Sequence, residues 1–225
     1  MKTYLELKET ELLESAASCL RDRLLIRLLS RLGCRISEAL AIKHEDIDFE
    51  RKTVTIMHLK RILKLFCPLC KSPLVTKHRF CPGCASEIGG SIKKQQEKRR
   101  IRILPLDEDT LKMLKSYTDN NNTTDINGQT YLFGFNRHRA WQIVRNCAKQ
   151  ARIPSLVNPE TGRKRGVSPH RLRDAFSVHA IKRDDSGDGL RMLQEHLGHV
   201  SFNTTAKYRK ISGQEHRDWY RRLWK

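Results

Sequence analysis

Four cysteines, three arginine and histidine segments and one tyrosine supply the side chains whose spacing can do chemistry. Cys67 and Cys70 bracket Pro-Leu, Cys81 and Cys84 bracket Pro-Gly, and ten residues separate the two pairs. Two such knuckles let four thiolates converge tetrahedrally on one ion, while the prolines and glycine supply the tight turns that expose sulfur. Zinc is the default occupant and iron the minor alternative. A catalytic zinc keeps an open position and takes His or carboxylate, so this closed four-thiolate set reads as structural. The other three cysteines, Cys19, Cys34 and Cys147, fall on apolar faces of helical segments and read as packing residues.

The second group lies outside this module. Arg35 and Arg173 are candidates for binding the non-bridging oxygens of a phosphate and for stabilising charge that builds up on it. His170 precedes Arg173 by one helical turn, which puts both on one side of a helix. His199 closes a Leu-Gly-His turn, and Tyr208 follows nine residues later. A tyrosine can attack phosphorus and keep the bond energy as a covalent phosphotyrosine, so no ATP is needed to reseal. Tyr208 also fits a packing role, its ring on a helix face and its hydroxyl wet.

The overall charge narrows the partner. The chain of 225 residues carries 44 Lys and Arg against 25 Asp and Glu, a net +19. Such a surplus repels itself unless a polyanion is present, and nucleic acid is the usual one. No apolar run approaches the ~20 residues of a spanning helix, and no signal peptide opens the sequence, so no membrane partner and a cytoplasmic location are expected. An odd cysteine count with paired knuckles fits a reducing compartment.

The elements that must position these groups are mostly helical. Leucines and alanines from Leu12 to Leu32 recur at helical spacing, as one long helix or two short ones, and Gly33 breaks the run before a second helix with Glu38 and Leu40. Alternating β-branched residues predict strands over 46–49 and 53–58, and 99–106 alternates as a return arm. About forty residues separate these arms where a hairpin uses two to five, so something is inserted there. A helix follows over 107–117, then a polar loop over 118–129, a short buried stretch at Tyr131–Phe135, and an amphipathic helix over 137–151 around Trp141. Ser168 as N-cap and Pro169 at the first helical position start the helix carrying His170 and Arg173. A helix with Leu190, Leu193 and Leu197, a short one with Tyr208, and a last one over 213–225 complete the chain. The predicted class is mainly α with a small antiparallel β-sheet (α+β).

These segments together resemble the tyrosine recombinases of the phage integrase and Xer type, over nearly the whole chain apart from 61–95. "GCRISEAL" resembles that family's first arginine box, "HRLRDAF" its His-x-x-Arg box, and "LGHVSFNTTAKY" the third box with its nucleophile. The resemblance implies Arg35, His170, Arg173, His199 and Tyr208 as catalytic residues, with Glu38 in support. It also implies a lysine on the hairpin. Lys60, 25 residues after Arg35, is the first choice, with Lys98 on the returning arm or Lys94 before it as alternatives. The implied organisation is a catalytic domain, 1–60 with 96–225, interrupted by a zinc-ribbon-like module at 61–95.

The implied activity is site-specific recombination or integration. Tyr208 attacks a phosphodiester of double-stranded DNA to give a 3′-phosphotyrosyl enzyme and a free 5′ hydroxyl, and a partner strand reverses the step. Strand exchange through a four-way junction implies self-association on DNA as a tetrameric synapse, with neither metal nor nucleotide in the chemistry. Family members carry a helical domain ahead of the catalytic one, whereas this pattern starts within the first residues. DNA affinity is therefore expected from the catalytic face, the run "KKQQEKRRIR" and the ribbon. The terminal "WYRRLW" offers Trp219, Leu223 and Trp224 to a neighbouring subunit or to the chain's own core. The alternative function is a non-catalytic DNA-binding regulator that keeps the fold and the ribbon.

Overall fold

The leucine spacing near the start resolves into two helices. Helix α1 spans Leu7–Ser15 and α2 spans Leu20–Arg31, with Cys19 in extended conformation as the cap of α2. The break turns Leu12 and Cys19 outward, so Cys19 is an exposed cap residue and not a packing residue. This computed structural model describes residues 2–57, 65–75, 78–88, 101–120, 123–126, 128–158, 161–199, 201–210 and 220–224. Along the chain come α3 (Ile36–Leu40), β1 (Ile47–Asp48), β2 (Thr53–Met57), β3 (Leu65–Phe66), β4 (Pro73–Leu74), β5 (Ile101–Pro105) and α4 (Glu108–Asp119). They are followed by β6 (Thr124–Ile126), β7 (Gln129–Tyr131), α5 (Arg137–Gln150), β8 (Leu156–Val157), β9 (Lys164–Arg165), α6 (Pro169–Arg183), α7 (Gly187–Leu197) and α8 (Phe202–Lys210). The fold class is mainly α with small antiparallel sheets.

Contacts divide the chain into two compact units, Met1–Met57 with Ile101–Lys225, and His58–Arg100. In the larger unit, the central sheet has the order β1-β2-β5, all antiparallel. Its long pair runs in register from Thr53 opposite Pro105 to Met57 opposite Ile101, so the two arms separated by the insertion do meet. The first predicted strand shrinks to β1, because His44–Asp46 forms a 3₁₀ turn. The polar loop is not structureless: β6 and β7 pair with Ile126 opposite Gln129, closed over Gly128 at φ +72°. Leu156–Val157 and Lys164–Arg165 form another small antiparallel pair, β8 with β9.

The principal core gathers Leu24, Leu25, Leu28 and Leu29 of α2 with Ile56, Leu104, Leu114, Val144, Leu172 and their neighbours. Trp141 faces outward on α5, stacked under Arg145, while Ala140, Ile143, Val144 and Cys147 turn inward. A second cluster joins Val178, Ile181, Leu190, Leu193, Leu197 and Tyr208. The two clusters place α6 between the main core and the α7–α8 corner. Among the described residues no helix is long and apolar enough to cross a membrane. Most of the predicted final helix, with Trp219, lies outside the described residues; Leu223 and Trp224 are exposed.

Candidate functional site

Glycine sets up the first arginine. Gly33 takes φ +56° at the end of α2, and an added Cβ would meet the Phe176 ring at 2.5 Å, so only glycine turns the chain here. Arg35 then caps α3, and Glu38 at the third helical position reaches back to accept from the Arg35 backbone N–H at 2.9 Å. The same carboxylate accepts from Arg35 Nη1 at 2.9 Å and from Arg102 Nη2 at 2.7 Å. Burial alone would raise the Glu38 pKa, but the Arg35 amide and the Arg102 and Arg35 guanidiniums hold it below the usual range. Glu38 is thus an ionised clamp on a half-exposed Arg35.

The second arginine is held by carbonyls. Arg173 on α6 is 2% exposed, donating from Nη1 to Gly33 O at 2.6 Å and from Nη2 to Leu197 O at 2.8 Å. Nη2 also lies 2.9 Å from His199 Nε2. A guanidinium only donates, so Nε2 is the acceptor and Nδ1–H donates to the Thr205 hydroxyl at 2.9 Å. Burial first, then the Arg173 charge, push His199 down to about 4, which keeps the ring neutral. The turn that presents His199 needs Gly198, the left-handed end of α7 at φ +65°.

Tyr208 stands on the same spot. Its ring stacks on His199 with centroids 6.3 Å apart and 15° between planes, and the residue is 8% exposed. The hydroxyl is not wet: it donates to Asp174 Oδ1 at 3.1 Å. Burial and the Asp174 charge push the phenol up to about 12, so it is fully protonated at neutral pH. Arg171 Nη1 donates to Asp174 Oδ2 at 3.2 Å, and His170 Nε2 lies 3.6 Å from Oδ1.

Arg35, Glu38, Arg173, His199 and Tyr208 are therefore linked or adjacent through Glu38, the 196–199 turn and the ring stack. Among the described residues, His170, 72% exposed at its side chain, reaches the group through Asp174. Lys60, Lys98 and Lys94 lie outside the described residues. Arg102, Asp174 and Thr205 were not legible as site residues. The nearest signal was a charge at Arg102 on the face of β5 that also carries the buried Leu104, and another at Asp174 directly after the second arginine. Ser168 occupies the cap of α6 with Pro169 following, though its side chain makes no capping bond.

The smaller unit converges the four knuckle cysteines. Their Sγ atoms all lie within 4.8 Å of one another, with Cys67 to Cys84 at 3.6 Å and Cys70 to Cys81 at 3.4 Å. A tetrahedral ion with metal–sulfur bonds of about 2.3 Å has sulfur–sulfur edges of about 3.8 Å, so the donor set fits a metal. The two knuckles repeat one another. Cys67 N–H donates to Ser72 O and Cys81 N–H to Ser86 O, each at 2.9 Å. Lys71 and Ala85, each one residue past the second cysteine of its knuckle, both take positive φ, 61° and 56°. Two non-glycine residues held in the left-handed region at equivalent places mark a shape imposed by the site.

Residues 4–215 match the family model described as the phage integrase family. The chain is 27% identical over 199 residues to tyrosine recombinase XerC of Syntrophus aciditrophicus, covering 86% of this chain and 50% of the relative. It is 26% identical over 210 residues to tyrosine recombinase XerA of Pyrococcus horikoshii, covering 93% and 57%. It spans about half the length of the curated relatives it matches. In fold it is similar to the crystal structure of XerA recombinase, with TM-score 0.61 at 23% identity, covering 92% of this chain and 60% of that one. A XerH site-specific recombinase bound to palindromic difH substrate, a post-cleavage complex, has TM-score 0.62 at 20% identity, covering 97% and 52%.

Proposed function

The chain belongs to the phage integrase family, and from that premise we propose that it is a tyrosine-type site-specific recombinase acting on double-stranded DNA in the cytoplasm. The observation that carries the reading is the convergence of Arg173 on α6 with His199 after α7 and Tyr208 on α8, with Arg35 held beside them by Glu38. In the forward step Tyr208 Oη bonds to phosphorus, the P–O5′ bond breaks, the phenol proton leaves and the 5′ oxygen gains one. Arg35 and Arg173 hold the non-bridging oxygens, and their fixed charge favours the transition state, where charge builds up. When an incoming phosphate takes over Arg173, His199 moves its proton from Nδ1 to Nε2, with the Thr205 hydroxyl then donating to Nδ1, and donates from Nε2–H to that phosphate. His170 assists removal of the phenol proton across Asp174, and Lys60 is the expected acid for the 5′ oxygen. The phosphotyrosine stores the bond energy, and a second 5′ hydroxyl reverses the step. Exchange between two duplexes calls for four copies of the chain on DNA.

Before attack Tyr208 must leave Asp174 and its place in the second core cluster. Withdrawing a ring of that size from an apolar corner costs about 1.5–3 kcal/mol, a penalty that DNA binding has to offset. The same burial favours the second reading, a DNA-binding regulator that never exposes the phenol. A nicked suicide substrate separates the two. Wild type should give a covalent DNA–protein adduct, and Tyr208→Phe should give none while binding DNA as before. DNA binding without any wild-type adduct would establish the regulator.

The four cysteines are proposed to hold a structural zinc ion in a module, 61–95, inserted into the hairpin of the catalytic domain. Supporting this are the four-sulfur donor set, two sulfur–sulfur distances close to a tetrahedral edge and the repeated knuckles. When bound, zinc neutralises the crowded thiolates and supplies the cross-link that a unit this small needs. Elemental analysis finding neither zinc nor iron in purified protein would refute it.

A further inference from the structure

We propose that Arg102 is a positioning residue that holds the two phosphate-binding arginines in register by joining the Glu38 clamp to the 196–199 turn. The proposal rests on the recombinase reading for its consequence, not for its geometry. Arg102 sits on β5 opposite Ile56, on the inward face of the strand, and its side chain is only 9% exposed. A guanidinium there is costly unless its donors are matched to fixed acceptors. Nη2 donates to Glu38 Oε2 at 2.7 Å, and Nη1 donates to the His196 carbonyl.

Each of those acceptors leads to one arginine. Glu38 holds Arg35 through Oε1. His196 O is followed by Leu197 O, which accepts from Arg173. One planar fork therefore ties the first box to the turn that fixes the second, and a lysine, with a single point charge, cannot span both. The packing agrees: at Gly198 an added Cβ would come within 3.0 Å of Arg102 Cδ and Nε, so the turn is closed directly onto this side chain. Nε itself is buried without an acceptor among the described residues, a loss tolerated for the sake of the two bridging bonds. Arg102 is assigned no contact with the reacting atoms; it acts through Arg35 and Arg173.

The test compares wild type, Arg102→Met and Arg102→Lys for single-turnover cleavage of a suicide substrate, DNA affinity and melting. Arg102→Met should slow cleavage on the order of a hundredfold, as for an ångström-scale misplacement of positioning groups, with DNA affinity changed less than about threefold. Arg102→Lys, keeping one bond and the charge, should recover part of the rate. Combining Arg102→Met with Arg35→Lys should cost less than the product of the single losses, because both act through one clamp. A wild-type cleavage rate in Arg102→Met would overturn the proposal, and so would rate and affinity falling in equal measure. Should wild type form no adduct, the recombinase reading fails by itself. The positioning claim is then decided by the crystal structure of Arg102→Met, where unmoved Arg35–Glu38 and Arg173–Leu197 contacts would refute it.

Discussion

Cysteine is used in opposite ways in the two units of the molecule. Cys34 and Cys147 in the larger unit are buried small hydrophobes, and burial pushes the Cys34 thiol up to about 12. In the smaller unit the backbone N–H of Cys70 draws the Cys67 thiol down to about 6, and the Ser72 hydroxyl lowers Cys70. Burial moves Cys81 the other way, to about 11. Four thiols this close cannot all ionise unless a cation sits among them. The larger unit has an apolar core running through six helices and the central sheet, whereas the smaller has one described cluster, Cys67, Leu74 and Cys81 with Ile88 against it. Two of those residues belong to the four-cysteine set. One unit is therefore organised by apolar volume and the other by donor atoms.

The largest effect should come from breaking the donor set. Structural zinc sites contribute apparent binding energies on the order of 10 kcal/mol to folding, so a strong chelator or Cys67→Ser should unfold the smaller unit. Amide exchange should rise across 65–88 and stay slow in α2 and α6. Loss of protection in both units together would show that they are not organised separately. The reciprocal change is Leu25→Ala in the fully buried face of α2, which should cost about 2–5 kcal/mol by denaturant melt and leave the metal content of the folded protein unchanged.

A smaller loss is expected at Gly198. Alanine there would have to adopt φ +65° and press against Arg102, which should cost on the order of 1–3 kcal/mol. Because the turn holds both Arg173 and His199, cleavage should fall further than stability alone explains. A Gly198→Ala enzyme with normal cleavage would mean that the turn has slack and the larger unit is less tightly specified than its packing implies.

Legibility in the sequence followed the same division. The knuckles were readable because their chemistry is local: two cysteines separated by two residues, with Pro or Gly between them, define the site within a short stretch. Arg35, Arg173, His199 and Tyr208 were readable because each sits in a short box with its own turn or cap. What was lost lies in long-range pairing. Arg102 meets Glu38 across 64 positions, and Asp174 meets Tyr208 across 34, and no periodicity reports such contacts. The choice between one helix and two before Gly33 stayed open because leucine spacing continues through the break between α1 and α2. The hairpin of β6 and β7 was missed for a different reason: its Asn127-Gly128 pair is a hairpin signal, but the flanking residues are too polar to look like strands.

The smallest effect, and the most specific to the larger unit, should be a pH dependence arising at His199. The folded protein holds this ring near 4, by burial and the Arg173 charge, against an ordinary 6.5. Between about 6.5 and about 4 the unfolded chain binds a proton that the folded one refuses, so stability rises with pH across that window and is lost as pH falls through it. Above 6.5 both states are neutral there and the contribution is flat. His199→Gln should keep an acceptor for Arg173 and remove part of the acid loss, so that urea midpoints at pH 7 and pH 5 differ less than in wild type. Amide exchange can assign the change, since Arg173 lies on α6 and Thr205 on α8, and protection lost in those helices between the two pH values in wild type should be partly kept in His199→Gln. If His199→Gln leaves the pH 7 to pH 5 difference intact, the ring takes up its proton as readily in the folded protein as in the unfolded chain, and burial with the Arg173 contact does not hold it neutral.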